Sequence, residues 1–253
     1  MTSADNQQAT PPVVGESSET KRQEPKVRIS KNLAIILGLL YTDGCVSPRK
    51  ESFRIFLRSK SRNLTVYLKW ALIEEFRLRP ERINLRLRDN LWQIALTSRE
   101  VGNFLIKTFG TFRTLAYGIE ETTAHLPVLD LIANNVTRDF LRAAFSGDGG
   151  VCFFKTKAGS LFRSVFLASH HSQLRKDYVC LLNNLGISCH DYPSDNKVVI
   201  RGQHNIEVFR EKVGFLKGTT VTSHSKNWDG YTKQQVLSFI VDSYTYPKRY
   251  FRL

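Results

Sequence analysis

Two aspartates are the residues in this sequence whose type and spacing point most directly to chemistry. Asp43 and Asp148 each end an apolar, helix-like segment and are each followed by glycine. One Asp-Gly pair is commonly only a turn at a helix end. An acid there, however, opposes the partial negative charge of the helix C-terminus unless a cation lies beside it. A pair of carboxylates without sulfur or imidazole ligands suits Mg²⁺, so we expect a magnesium site.

Small residues along the two apolar segments indicate how the aspartates could meet. Gly38 and Thr42 lie one helical turn apart in the first segment, and Ala143 and Gly147 do so in the second. Small side chains let two helices approach closely, because the distance between helix axes depends on the residues in contact. Packing along these positions would bring the two C-terminal ends together. The aspartates would then lie side by side among exposed backbone carbonyls.

The elements that would position the aspartates occur twice along the chain. Each half contains a helix, a hairpin, a second helix, a second hairpin and a closing helix, as judged from the spacing of apolar residues. The second hairpin turns at Asp89-Asn90 in the first half and at Asp195-Asn196 in the second. This order predicts an α+β fold of two pseudo-symmetric αββαββα repeats with antiparallel sheets. The repeats are predicted at 29–125 and 126–253, after a disordered tail at 1–28.

Composition narrows the class of protein. The 253 residues include 37 Lys and Arg against 23 Asp and Glu, a net charge of +14, which favours polyanions such as DNA or RNA. The tail has few large apolar residues and no apolar core of a secretory signal. The longest apolar stretch, Leu33–Tyr41, is much shorter than the about 20 residues of a membrane-spanning helix. The four cysteines form no C-x2-C pair. We therefore expect a soluble, cytoplasmic protein without a zinc site or a disulfide framework.

Basic residues alternate with apolar ones along several predicted strands. Alternate residues of a strand point to opposite faces, so one face of each sheet would be apolar and the other basic. One sign of charge on four strands suits the DNA backbone and its grooves, where Arg also reads guanine edges. We expect Arg82 and Arg86 to lie in mid-strand. The predicted DNA contacts are Arg54, Arg58, Lys60, Arg82, Arg86, Arg88, Lys155, Lys157, Arg163, Lys197 and Arg201.

The two segments that end in Asp-Gly resemble a known pair of motifs. Ile36–Gly44 reads Ile-Leu-Gly-Leu-Leu-Tyr-Thr-Asp-Gly, and Leu141–Gly149 reads Leu-Arg-Ala-Ala-Phe-Ser-Gly-Asp-Gly. Both resemble the LAGLIDADG motifs of single-chain homing endonucleases, and the order of elements extends the resemblance over roughly residues 30–245. Tyr41 and Ser146 stand where the family has a variable first aspartate. The resemblance implies a saddle in which two four-stranded antiparallel sheets straddle DNA.

The resemblance also implies a catalytic site. Asp43 and Asp148 would bind divalent metal together with the carbonyls of Thr42 and Gly147. Each half would cut one strand of double-stranded DNA, leaving short 3′ overhangs, and the metal would activate water and stabilise the leaving oxygen. By position, Lys60 and His170 would be the polar residues near the attacking water. Lys60 could equally contact a phosphate, and His170 could equally start a helix.

Two other functions remain open for the same scaffold. One is a DNA-binding regulator that has lost cleavage, although both aspartates are present. The other is an RNA maturase that binds intron RNA, which the same basic saddle could serve. With both halves on one chain, we expect a monomer and a long, asymmetric DNA site.

Overall fold

The computed structural model describes residues 26–112, 123–221 and 227–250. Most of the predicted tail, 1–25, lies outside the described residues. The first half contains three helices and four strands in the predicted order. Its elements are α1 (Lys31–Leu40), β1 (Gly44–Arg49), β2 (Ser52–Ser59), α2 (Arg62–Phe76), β3 (Ile83–Arg88), β4 (Leu91–Thr97) and α3 (Arg99–Phe109).

The second half repeats this order after a short helix, α4 (Val128–Ala133). Its elements are α5 (Thr137–Gly147), β5 (Gly149–Lys155), β6 (Leu161–Ala168), α6 (Ser172–Asn184), β7 (His190–Tyr192), β8 (Lys197–Ile200), α7 (Gln203–Lys212) and α8 (Lys233–Thr245). The strands form two antiparallel four-stranded sheets, in the orders β1-β2-β4-β3 and β5-β6-β8-β7. The predicted α+β fold of two αββαββα units is confirmed. No helix in the described ranges is long and apolar enough to cross a membrane.

Side-chain caps fix where several helices begin. Ser30 accepts a hydrogen bond from the Leu33 amide at the start of α1, and Ser98 accepts one from Val101 at the start of α3. Thr232 starts α8 with a reciprocal pair of bonds to the side chain and backbone of the third helical residue. Each cap satisfies an amide that has no partner within its helix, which contributes about 1 kcal/mol.

The turns of the second hairpins differ between the halves. Asp89 and Asn90 have φ of 51° and 59°, so both central residues of the first turn are left-handed, as the right-handed twist of the strands requires. In the second half a 3-10 turn at Pro193–Asp195 comes first, and only Asn196 is left-handed, with φ of 53°. The second hairpin is therefore shorter in its strands and longer in its turn.

Helices α1 and α5 pack against each other at the centre of the molecule. A Cβ atom added at Gly38 would lie 2.5 Å from the Phe140 carbonyl oxygen and 2.8 Å from the Ala143 Cβ. A Cβ atom added at Gly147 would collide with the Thr42 hydroxyl. The small residues of the two motifs thus face each other, as their spacing predicts. This close approach brings the C-terminal ends of α1 and α5 together.

Each sheet packs one face against the helices and leaves the opposite face, which we call its outer face, free of them. In the first sheet, Ile55 and Leu57 of β2 are buried on the helix side with Ile94 and Leu96 of β4. Directly opposed residues of antiparallel strands lie on the same face, so the register assigns every other strand residue to one face or the other. The residues of the outer faces are given with the site below.

Candidate active site

The two aspartates meet where α1 and α5 end. Asp43 lies in the turn that joins α1 to β1, and Asp148 is the residue that ends α5 immediately before β5. Their side chains are hydrogen-bonded to each other. Two carboxylates cannot share a hydrogen bond unless one of them carries a proton. Without a metal, this contact therefore requires a proton shared between the two carboxyl groups.

Burial is the main reason why both carboxyl groups resist ionisation. It raises the pKa of Asp43 and raises the pKa of Asp148 to about 8, where the charge of Asp43 adds to the effect. The nearby Lys233 ammonium acts in the opposite direction on both. A cation bound between the oxygens would replace the shared proton, because an opposite charge within a few ångströms favours the ionised forms.

Lys233 brings a buried ammonium to the same place. Its side chain comes from the first turn of α8, is 6% exposed, and donates to the carbonyls of Ser146 at 2.7 Å, Gly147 at 3.2 Å and Gly149 at 2.6 Å. These carbonyls lie at the end of α5, where a positive charge is favourable. Burial lowers the pKa of Lys233 to about 8, and the two aspartates oppose that shift. The ammonium also contacts the Gly147 carbonyl that was predicted to bind metal.

Sequence reasoning missed Lys233. Its one local signal is a lysine in the first turn of an apolar helix, where a positive charge opposes the partial positive charge of the helix N-terminus. Its contacts lie more than 80 residues away in the chain. No pattern in the sequence links α8 to the end of α5, so the residue could not have been placed.

A cleft of about 390 Å³ opens beside Asp43. Arg58 and Lys60, at the end of β2, line it together with Gly147 and Lys233. The position predicted for Lys60, close to the first aspartate, is therefore the one that it occupies. Both of the roles considered for Lys60, near the attacking water and on a phosphate, remain compatible with this position.

A second cleft, of about 620 Å³, opens beside Asp148. Cys152, Phe154 and Phe166 form part of its wall. His170 is exposed and is not among the residues that line either cleft; it follows by two residues Ala168, whose amide donates to the Asp148 carbonyl at 3.2 Å. The helix-start role belongs to the next residue, because His171 Nδ1 accepts from the first-turn amide of Leu174 at 3.3 Å.

The residues at the variable motif positions connect the helix ends to the rest of each half. The Tyr41 hydroxyl donates to the carbonyls of Phe109 and His125, each at 3.0 Å. The Ser146 hydroxyl donates to the Arg142 carbonyl and accepts from the Leu216 amide, both at 2.7 Å. Neither residue presents a carboxylate to the site. Their role is structural: they hold the aspartate-bearing ends in place.

The outer face of the first sheet is basic, as predicted. Arg54 and Arg58 of β2 alternate with buried residues, and Arg86 and Arg88 of β3 extend the same face. Arg82 lies one residue earlier, in a 3-10 turn at Pro80–Arg82, so the expectation that it sits in mid-strand is wrong. Pro80 occupies the first position of that turn and Arg82 its last, so the strand starts only at Ile83.

The outer face of the second sheet carries fewer cations than predicted. Lys197 and Arg201 follow the outer register of β8, whereas Lys157 lies in the turn between β5 and β6. Arg163 and Lys155 share the helix-side register with Val165, so the prediction that they lie on the outer face is wrong.

Arg163 contacts helix α8 instead of facing outward. Its Nε donates to the Ser243 hydroxyl at 2.7 Å and its Nη2 to the Ser243 carbonyl at 2.9 Å. The guanidinium also lies 4.5 Å from the centre of the Tyr244 ring. Arg163 therefore fastens the C-terminal end of α8 to the second sheet.

A comparison with known protein families finds a match in the second half of the chain. The sequence model described as a LAGLIDADG-like domain matches residues 135–214, which span α5 to the end of α7. The second motif lies within the matched residues, so the resemblance stated for it is confirmed. The matched residues contain Asp148, and the first half supplies Asp43 from an equivalent order of elements.

Solved structures with a similar fold include two DNA complexes of homing endonucleases. I-DmoI in complex with DNA and Mn has 16% identity and a TM-score of 0.47, over 72% of this chain and 96% of that chain. I-WcaI bound to its DNA recognition sequence has 17% identity and a TM-score of 0.47, over 81% and 93%. The N-terminal LAGLIDADG domain of DUF199/WhiA has 14% identity and a TM-score of 0.43, over 75% and 85%. No curated protein matches the sequence.

Proposed function

We propose that this protein is a site-specific DNA endonuclease that hydrolyses phosphodiester bonds with a divalent metal ion. The observation that supports it most is the hydrogen-bonded pair of partly buried carboxyl groups, Asp43 and Asp148, at the meeting point of two helix ends. Such a pair destabilises a fold unless a cation compensates it. A structural role would be better served by neutral residues, so the pair points to metal binding and catalysis.

The donor set fits a hard divalent cation such as Mg²⁺. Asp43 and Asp148 would hold the ion, and the Thr42 carbonyl is a further oxygen nearby in the chain. Among the described residues no group of three or more His, Cys, Asp and Glu side chains could enclose a metal. The remaining ligands would be water and the DNA phosphate, an open arrangement typical of Mg²⁺. When bound, the ion would activate water and stabilise the leaving oxygen.

The chain's own residues supply the surrounding charges. Lys233 holds the end of α5 through its carbonyl contacts and offsets part of the aspartates' negative charge. Arg58 and Lys60 flank Asp43 in the first cleft, where they could bind the phosphate that faces it. Lys60 would also be the polar residue of this cleft near the attacking water. No residue of matching charge flanks Asp148 from β6, so the two strands of a duplex would meet unequal surroundings.

Duplex DNA is the substrate that best matches the outer faces. The first sheet presents exposed arginines on β2 and β3, which lie on either side of β4, and the chain as a whole has a net charge of +14. Half or more of protein–DNA hydrogen bonds go to phosphates, for which such a surface is suited. We propose that 29–125 and 126–253 act as two repeats on one monomer. Each would cut one strand, to leave short 3′ overhangs.

Cleavage of a randomised duplex library tests the function directly. With Mg²⁺, we expect double-strand breaks at one family of sites, whose ends report the overhang when they are sequenced. Asp43→Asn and Asp148→Asn should each abolish double-strand cleavage and keep DNA binding. Asp229→Asn, which removes an exposed carboxylate, is the matched control and should cut normally. Sequence-specific binding without cleavage by the wild type would favour the regulator, and binding to intron RNA in preference to duplex would favour the maturase.

A further inference from the structure

The outer faces of the two sheets have different chemistry. The first carries five arginines and one aromatic ring, Phe56, in its outer register: the arginines are Arg49, Arg54, Arg58, Arg86 and Arg88. The second carries only Lys197 and Arg201 as cations. It presents four aromatic residues instead, which are Phe154, Phe162, Phe166 and Tyr192.

Both cations of the second outer face are packed against its rings. The Lys197 ammonium lies 5.4 Å from the centre of the Phe166 ring. The Arg201 guanidinium lies 5.2 Å from the ring centres of Phe162 and Tyr192. Cation–π contacts of this kind hold the charged groups near the sheet. On the first outer face, by contrast, only Arg54 of the five arginines is packed on a ring among the described residues, 4.2 Å from the centre of Phe56.

The faces of two of these rings are already covered. Phe162 has the Phe154 ring stacked on it, with centres 4.9 Å apart at 21°, and it also carries Arg201. Phe166 lies against Gly150, where an added Cβ would be 2.7 Å from its ring, and it carries Lys197. Unpaired bases stack on open ring faces, so this arrangement is poorly suited to single strands. What remains exposed is apolar, and Phe154 is 43% exposed.

Base pairs offer two matching groups in the major groove. Guanine presents acceptors that Arg contacts with two hydrogen bonds, and thymine presents a methyl group that Phe contacts. We infer, on the basis of the proposed DNA binding, that the two half-sites are read by different chemistry. The first outer face reads guanine edges through its arginines. The second outer face reads thymine methyl groups through Phe154 and Phe162, so its half-site is rich in A·T pairs.

Removal of thymine methyl groups tests this with unmodified protein. A preferred duplex is first selected from a random library, and then every thymine of one half-site at a time is replaced by deoxyuridine, which differs only by the methyl group. We expect the replacement in one half-site to weaken binding at least about fivefold, and in the other less than about twofold. The sensitive half-site should be the one with more A·T pairs.

Two variants assign the sensitive half-site to a sheet. In Phe162→Ala, replacement of thymine should have little further effect, because the contact is already absent. In Arg86→Ala, the effect of replacement should be as large as in wild type, whereas discrimination for guanine in the other half-site should be relaxed. Thermal unfolding of both variants checks that they are folded. The wild-type measurement does not depend on either variant.

The outcomes separate this inference from the proposed function. If no duplex is enriched by selection, DNA recognition itself is refuted. If a specific duplex is enriched but binds equally well with deoxyuridine in both half-sites, the methyl readout is refuted and the endonuclease proposal stands. If single strands compete better than the duplex and Phe162→Ala removes that advantage, the second outer face stacks unpaired bases, which also overturns the inference.

Discussion

Neutralising Asp148 should stabilise the metal-free protein. The change Asp148→Asn keeps the size of the side chain, and its amide can donate to the Asp43 carboxylate in place of the shared proton. It removes the charge that burial and Asp43 disfavour. Asp148, which we propose is catalytic, would then be a residue whose replacement stabilises the folded protein. Active sites commonly hold groups that destabilise the fold.

The sign and size follow from the raised pKa of Asp148. In the folded state the Asp148 carboxyl holds its proton up to about pH 8, whereas in the unfolded chain it releases the proton near its ordinary pKa of 3.8. Stability is therefore fully present below about pH 4 and falls as the pH rises towards 8. At pH 7 the medium is about three pH units above the pKa of the unfolded state, so the loss of stability is at most about 4 kcal/mol. Because the side chain is only partly buried, we expect Asp148→Asn to gain about 1–3 kcal/mol.

Urea unfolding in EDTA at pH 5, 6, 7 and 8 measures this effect. The free energy of unfolding of the wild type should decrease over this range, and that of Asp148→Asn should be higher at pH 7 and depend less on pH. Thermal melts should show a rise of about 2–4 °C for each kcal/mol gained. Asp229→Asn is the control, since an exposed carboxylate should change stability by no more than about 0.5 kcal/mol.

Added Mg²⁺ should reverse the order of stability of the wild type and Asp148→Asn. An ion that binds the folded state stabilises it by mass action, so the wild type should gain stability with Mg²⁺ and the variant should gain less. The reasoning would be refuted by a variant that is no more stable than wild type at pH 7 and keeps the same dependence on pH. A gain of equal size in Asp229→Asn would show that general charge, not the aspartate pair, is responsible.

Four further changes test other parts of the structure. Lys233→Met should lower the free energy of unfolding by about 2–4 kcal/mol in urea, because it leaves buried carbonyls of α5 unpaired; an unchanged midpoint would contradict that. Gly38→Ala should destabilise by about 1–3 kcal/mol, since its Cβ would enter α5, and a neutral result in a thermal melt would refute the close packing. Arg58→Ala, which removes a residue of the first cleft that we propose binds phosphate, should weaken DNA binding and reduce the slope of log K against log salt by about 1. Arg163→Ala should leave that slope unchanged and lower stability instead, because its partner is Ser243.

The order of helices and strands could be predicted because its signals are local. Helical spacing of apolar residues, the Asx residues at the turn of the first sheet and the glycine after each aspartate all act within a few positions of the chain. The meeting of α1 and α5 was also predictable, since only small residues such as Gly38 and Ala143 permit it. The sequence alone therefore determined the fold class and brought Asp43 and Asp148 into one site.

Only the tertiary structure decided which cations join that site. Lys233 reaches the end of α5 from a helix far along the chain, and Arg163 turns inward because its register places it beside α8. His170 lines neither cleft, whereas Lys60, at the equivalent position of the first half, lines the cleft beside Asp43. The charge of a side chain indicates which partners it favours, but it does not indicate on which face of a strand the side chain lies. A one-residue difference in register reverses that face, and distant packing supplies the partners.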